Sequence, residues 1–149
     1  MAYMDMARKT HIAKQLSDTL LQKWDVSYSL RIVDASTLVM TIVESECPFI
    51  ENFHDDLMHP FTASAIKRYA QVNVNNKWYR KHFTGECLEM LDDIQWCLNN
   101  GNGDPSTDNG WFVQIDIGTA EVPYRHNKTK AVNACRDLIA QFNILPCEI

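Results

Sequence analysis

Hydrophobic positions recur along this chain with two periods, and the period changes where turn-forming residues stand. From about Asp5 or Thr10 to Lys23, the residues Ile12, Ala13, Leu16, Leu20 and Trp24 fall at helical spacing and make one broad apolar stripe. In Val26–Ile32 the apolar residues take every second place, the pattern of a strand with one face covered. Asp34-Ala35-Ser36 makes a short turn, and the β-branched run Leu38–Val43 reads as the returning strand of an antiparallel hairpin. Pro48 is placed to open a second helix, with Phe49, Ile50, Phe53 and Leu57 on its buried face and Pro60 as its stop. Thr62–Arg68 follows as another turn or two of helix, and Gln71–Val74 alternates as a third strand. Thr84 is a suitable N-cap for a helix whose core face is Cys87, Leu88, Leu91, Ile94 and Leu98 and which stops near Gly101. Trp111, Val113, Ile115 and Ile117 alternate in a fourth strand, and Val122-Pro123-Tyr124 extends it or pairs beside it. Ala131, Val132, Cys135, Leu138, Ile139 and Phe142 stripe a C-terminal helix.

A hairpin followed by helices and single strands predicts one α+β domain over residues 1–149. Its largely antiparallel sheet of about four strands would carry helices against one face. A doubly wound parallel sheet would need stricter β-α-β alternation. No repeat, low-complexity tract or Pro/Gly/Ser-rich linker divides the chain. At 149 residues and 46% hydrophobic content it can bury a full core, which excludes collagen-like and disordered classes. The first residues lack the basic-then-apolar pattern of an export signal, and no run approaches a membrane span of roughly 18 apolar residues. Cys147 stands third rather than fourth from the end, against prenylation. Five cysteines with no C-x-x-C pair read as reduced thiols in a cytoplasm, with Cys87 and Cys135 acting as small hydrophobes.

The local motifs of nucleotide and acyl-transfer chemistry are absent: no P-loop, no G-x-G-x-x-G and no G-x-S-x-G. His54-Asp55-Asp56-Leu57-Met58-His59 gathers metal-ligand types, but two histidines five apart point ~140° away from each other on a helix. Asn100, Asn102 and Asp104 match the start of a calcium loop, yet Pro105 and Trp111 stand where its glycine and its glutamate are required. Asp92 and Asp93 are neighbours on a helix and diverge by ~100°, so they make no ready carboxylate pair. A Cys/His site would be recognised only by distance. The reading is therefore of a protein with no metal and no cofactor.

Charge adds more. The net charge of -5 opposes wholesale electrostatic binding of nucleic acid, but the charge is unevenly spread. Between His82 and Tyr124 there is no Lys or Arg, against the acids Glu86, Glu89, Asp92, Asp93, Asp104, Asp108, Asp116 and Glu121. Glu86, Glu89 and Asp93 fall on one helix face at i, i+3 and i+7. That face is either a solvated one or a surface that meets a basic partner, with Asp104 and Asp108 in a neighbouring contact loop. Upstream, Lys67, Arg68, Lys77, Arg80 and Lys81 occur with no acid between them, and Trp78 and Tyr79 interleave in Lys77-Trp78-Tyr79-Arg80-Lys81-His82. Lys77, Trp78, Arg80 and Lys81 together could bind single-stranded nucleic acid. Alternatively, Trp78 and Tyr79 pack inward and the cations line a turn.

Four segments carry a resemblance: Leu30–Ile42, Cys47-Pro48-Phe49-Ile50-Glu51-Asn52-Phe53, His82-Phe83-Thr84-Gly85-Glu86-Cys87-Leu88 and Asn109–Gly118, after a helix with His11-Ile12-Ala13-Lys14-Gln15-Leu16. In this order they resemble the large polyvalent protein-associated domain, twenty-ninth in its series, over roughly residues 10–126. A W-x-D-G-P-like segment of the commoner members is replaced by Glu44-Ser45-Glu46-Cys47, and the helix at about 129–143 is an addition to the family core. The resemblance implies an accessory protein of a phage or other mobile element, acting in the host bacterial cytoplasm. It transfers no catalytic residues. The first function it implies is anti-CRISPR-like inhibition of bacterial immunity by stoichiometric binding of a host defence protein or ribonucleoprotein complex, with no membrane involved. A nucleic-acid-binding accessory module is the second, and an enzyme with a site assembled from distant residues the third.

Overall fold

A computed structural model describes residues 1–127. The helix expected at about 129–143, with Cys135, lies outside the described residues. The α+β class holds: helices and one mixed sheet share a single core.

Helix α1 (Met6–Gln15) runs through a π-helical turn (Leu16–Leu20) into α2 (Leu21–Lys23). Asp5 caps α1, its carboxylate accepting from the Arg8 backbone N–H at 2.8 Å. Ile12, Leu16, Leu20 and Trp24 lie four apart, so on an ideal helix each would drift ~40° from the last. The wider π turn takes up part of that drift, and all four side chains are buried.

Strands β1 (Val26–Val33) and β2 (Thr37–Ser45) form the expected antiparallel hairpin. Asp34 and Ala35 both take positive φ, 55° and 52°, which matches the twist of the flanking strands. After β2 come α3 (Phe49–Asn52), α4 (Pro60–Tyr69), β3 (Val72–Val74), α5 (Tyr79–His82), α6 (Gly85–Leu98), β4 (Phe112–Ile117) and β5 (Arg125–His126). This long crossover returns β4 parallel to β2, and β3 then adds antiparallel to β4 at the edge. The order is β1-β2-β4-β3, and the sheet is mixed. Where β4 leaves the ladder at Gly118, β5 takes its place on β2, pairing Glu44 with Arg125 and Ser45 with His126.

Register stacks Ile32, Leu38 and Val113 in one row and Leu30, Met40, Ile115 and Val74 in the next. This face meets α6, whose Cys87, Met90, Leu91, Ile94, Cys97 and Leu98 are all buried. Each fully buried aliphatic side chain contributes about 1.5–3 kcal/mol of transfer energy. The opposite face carries the exposed Ser27, Ser29, Arg31, Asn73 and Gln114 around a buried Val39 and Thr41.

One expectation is corrected. The helix that starts at Phe49 ends at Asn52, because Phe53 turns extended (φ -60°, ψ 131°) and the Asn52 amide is spent on the backbone and hydroxyl of Thr84. Pro60 therefore opens α4 at its first turn, where a missing N–H costs nothing, instead of stopping a helix. Leu57, expected in the core, stands 96% exposed in the intervening loop.

Candidate interaction surface

The acidic stripe of α6 is where the sequence places its first candidate site. Glu86, Glu89 and Asp93 do share a flank of the helix, but two of the three are already engaged. Lys23, at the end of α2, sits 2.5 Å from Glu89 and 3.6 Å from Asp93. The buried Trp24 donates its indole N–H to Asp93 at 3.0 Å. The hydrogen bond to Glu89 holds the Lys23 ammonium above the ordinary lysine range. On the other flank Asp92 accepts from the Tyr79 hydroxyl at 2.6 Å and from the Arg80 guanidinium at 2.8 Å. Burial, reinforced by that carboxylate, raises the Tyr79 hydroxyl. Asp92 and Asp93 thus brace opposite sides of α6 against α5 and α2. The stretch that lacks its own cations borrows them from Lys23 and Arg80. Glu86 alone of the three remains exposed without an ion pair among the described residues.

The contact loop carrying Asp104 and Asp108 is closed by its own hydrogen bonds. Asn102 accepts from and donates to the Trp111 backbone at 2.8 and 3.0 Å. Asp104 accepts from the Ser106 N–H, which lowers its carboxyl below the usual range. Arg8 of α1 reaches the Asp108 carbonyl at 2.8 Å. Asn102 and Asp104, two of the three side chains that match the start of a calcium loop, are here spent on turn geometry. His54 and His59 are likewise used locally, His54 against the Asn52 carbonyl and His59 accepting from the Phe61 N–H to cap α4. Among the described residues no group of three or more His, Cys, Asp or Glu is placed to hold a metal ion.

The basic, aromatic segment divides in two. Tyr79 packs into the core at 9% exposure, whereas Trp78 stays 50% exposed. Arg80 turns to Asp92, away from the other cations. Lys81 lies over the Trp78 ring, its ammonium 4.6 Å from the ring centre. Lys77 is exposed beside them. Trp78, Lys81 and His82 form one wall of a cavity of about 350 Å³ whose other wall is the loop His54-Asp55-Asp56-Leu57, with Asn75 at the edge. Asn75 fixes the Trp78 turn by accepting from the backbone N–H groups of Lys77 and Trp78. His82 stands 3.5 Å from Asp55, whose other oxygen takes the Leu57 N–H. These contacts tie the two walls together.

Two features of this region are not marked by local sequence. Leu57 and Phe61, four residues apart and on either side of His59, are 96% and 83% exposed. Their alternation with polar residues resembles a core pattern, and only the break at Phe53 reveals that they face outward. The second feature is the loop as a cavity wall. His54 reaches its opposite number only because its N–H bonds the His82 carbonyl at 3.0 Å. Among the described residues the cysteines Cys47, Cys87 and Cys97 are buried, as expected of Cys87 as a small hydrophobe. Cys47 and Cys87 meet in the core, where the hydrogen bond between them, with burial, pushes the Cys47 thiol up.

No protein-family model matches the chain, and searches of curated proteins and of solved structures find no match.

Proposed function

We propose that this protein is an accessory protein of a phage or other mobile element that inhibits a bacterial defence system by stoichiometric binding, in the manner of an anti-CRISPR protein. The partner is a host defence protein or ribonucleoprotein complex. The observation that carries the binding reading is the exposure of Leu57 (96%) and Phe61 (83%) on one short stretch. Two large apolar side chains left in water four residues apart suit a contact patch, and anchors of a well-filled patch cost about 2 kcal/mol or more when removed. The resemblance described above supplies the biological setting. Glu86 at the start of α6, and Asp104 and Asp108 in the loop beyond its other end, add exposed acidic groups that suit basic partner surfaces.

The test is a pull-down from host lysate, followed by titration of the purified partner and assay of its activity. One partner bound at a 1:1 ratio and inhibited by it supports the reading. The Leu57→Asp, Phe61→Asp double variant should keep its fold and lose at least ~30-fold in affinity. Equal binding by that variant would remove the patch from the account, and the absence of any stoichiometric partner would remove the reading.

A second reading, a nucleic-acid-binding module, is favoured by one specific observation. Trp78 is half exposed and carries Lys81 over its ring. An exposed aromatic face beside a cation is the unit of single-strand binding. Saturable binding of a labelled single strand at low salt, lost on neutralising Lys77 and Lys81, is the expected result for this reading.

A further inference from the structure

The cavity between the loop 54–57 and the segment 75–82 holds a set of unspent polar atoms around one aromatic ring. Asp55 is fully used, by His82 on one oxygen and the Leu57 N–H on the other. Asp56 is exposed, and its carboxylate has no partner among the described residues. The Asn75 carbonyl oxygen is occupied by two backbone N–H groups, so its amide N–H₂ is the free end of that side chain. Lys81 contributes an ammonium that no carboxylate among the described residues holds, positioned by the Trp78 ring.

A ligand that uses all four groups must have a flat π-face for Trp78 and an anionic group for Lys81. It must also offer N–H donors to Asp56 and an acceptor to Asn75. A simple acidic peptide would meet the Asp56 carboxylate with like charge, and a phosphate alone would leave the ring idle. Among the bases, guanine offers two adjacent N–H donors on one edge and carbonyl and ring-nitrogen acceptors on another. Adenine has no second donor beside its amino group, and uracil presents a single N–H. A cavity of about 350 Å³ lies at the small end of ligand sites, of a size for one nucleotide and not for a stacked run.

We infer that this cavity is a binding site for a single guanine nucleotide, with the base against Trp78, its donor edge toward Asp56, its acceptor edge toward Asn75 and its phosphate at Lys81. The inference rests on the second, nucleic-acid reading and narrows it from a strand-binding surface to one base. The shared chemistry is guanine plus phosphate, from a free nucleotide or from an unstacked guanine in a strand.

The experiment is calorimetric titration of the full chain with GMP, AMP, CMP and UMP, and with uridine oligonucleotides that hold one guanine or none. GMP is expected to bind saturably and at least about tenfold tighter than the other three. Trp78→Ala should lose about 10- to 100-fold, the range set by base stacking, with Trp78→Phe retaining most of the affinity. Asp56→Asn should remove the preference for GMP over AMP, and Lys81→Ala should flatten the salt dependence. All three side chains are exposed, so urea midpoints near the parent value confirm that each variant is folded. A guanine oligonucleotide that binds tighter than GMP assigns the site to a strand, and the reverse order assigns it to a free nucleotide; both uphold the inference. Strand binding without any preference for guanine would overturn it while leaving the second reading in place. No binding by nucleotide or strand would overturn both.

Discussion

Asp93 is a structural carboxylate before it is a surface charge. It is the acceptor for a tryptophan N–H whose ring is buried, and it stands beside the Lys23 ammonium. Removing that acceptor leaves a buried donor unpaired, at a cost of about 1–3 kcal/mol. Asp93→Ala should therefore lower the urea midpoint clearly, whereas Glu86→Ala, which breaks no ion pair among the described residues, should leave it nearly unchanged. Equal midpoints for the two variants would show that the Trp24 bond carries no weight. The same distinction shapes any search for a partner surface, since a charge reversal at all three acids would mix loss of contact with loss of stability. The shared face of Glu86, Glu89 and Asp93 was legible from helical spacing alone. The role of Asp93 was not, because Trp24 lies 69 residues away in the chain and no local pattern ties the two together. Trp78 and Tyr79 pose the same problem in miniature. They are adjacent and chemically alike, and only the α5 turn decides that one is buried and the other faces the cavity.

At the level of elements, strands and long helices were legible where one face had to be covered. Val26–Ile32 and Val113–Ile117 show their alternation, and α6 shows its stripe, because burial imposes the period directly; Leu38–Ile42, buried on both faces, is marked by its β-branched run instead. The segment from Phe53 to Pro60 departs from its helical spacing for a physical reason. Proline marks a helix start and a helix end equally well, and Phe49, Ile50, Phe53 and Leu57 have helical spacing even though the last of them faces solvent. What holds the turns between elements is backbone conformation. Gly118 ends β4 at φ +73°, and a Cβ there would come within 2.3 Å of the Ala70 carbonyl and 2.7 Å of the Tyr124 nitrogen. Both atoms belong to one hydrogen bond, Tyr124 N–H to Ala70 O at 2.8 Å, which docks the start of β5 against the end of α4. Gly118→Ala should thus combine left-handed strain with a backbone clash and cost about 3 kcal/mol or more. Gly85, at φ +59°, has open space where its Cβ would stand, so Gly85→Ala should cost only about 1 kcal/mol. Thermal melts of the two variants test this, and similar losses would mean that the contact at Gly118 yields easily.

Over the whole molecule, the charge asymmetry of the sequence is offset in space only along α6, where α2 and α5 bring Lys23 and Arg80 to its two flanks. What remains distinctive is how the first residues tie distant parts together. Tyr3 donates its backbone N–H to Gly110 at 2.9 Å and Met4 donates to Ala35 at 2.8 Å, so one short segment joins the long loop before β4 to the tip of the β1–β2 hairpin. Arg8 extends the tie through the Asp108 carbonyl. Between these bonds the Met4 side chain is 2% exposed and belongs to the main core, while Met6, two residues on, is 63% exposed. Truncating a buried methionine costs about 2–5 kcal/mol, and for a chain of this size each kcal/mol lowers Tm by roughly 3 °C. Met4→Ala should therefore lower Tm by roughly 6–15 °C, and Met6→Ala should leave it within about 2 °C. Hydrogen exchange then separates a tie from mere packing. If the segment joins loop and hairpin, Met4→Ala should speed exchange at the Phe112 amide, which bonds the Ser36 carbonyl at 2.9 Å, more than at amides inside α6. Uniform acceleration across the sheet and α6 would show instead that Met4 is one more core side chain, and that the loop before β4 is held by its own Asn102 and Asp104 bonds alone.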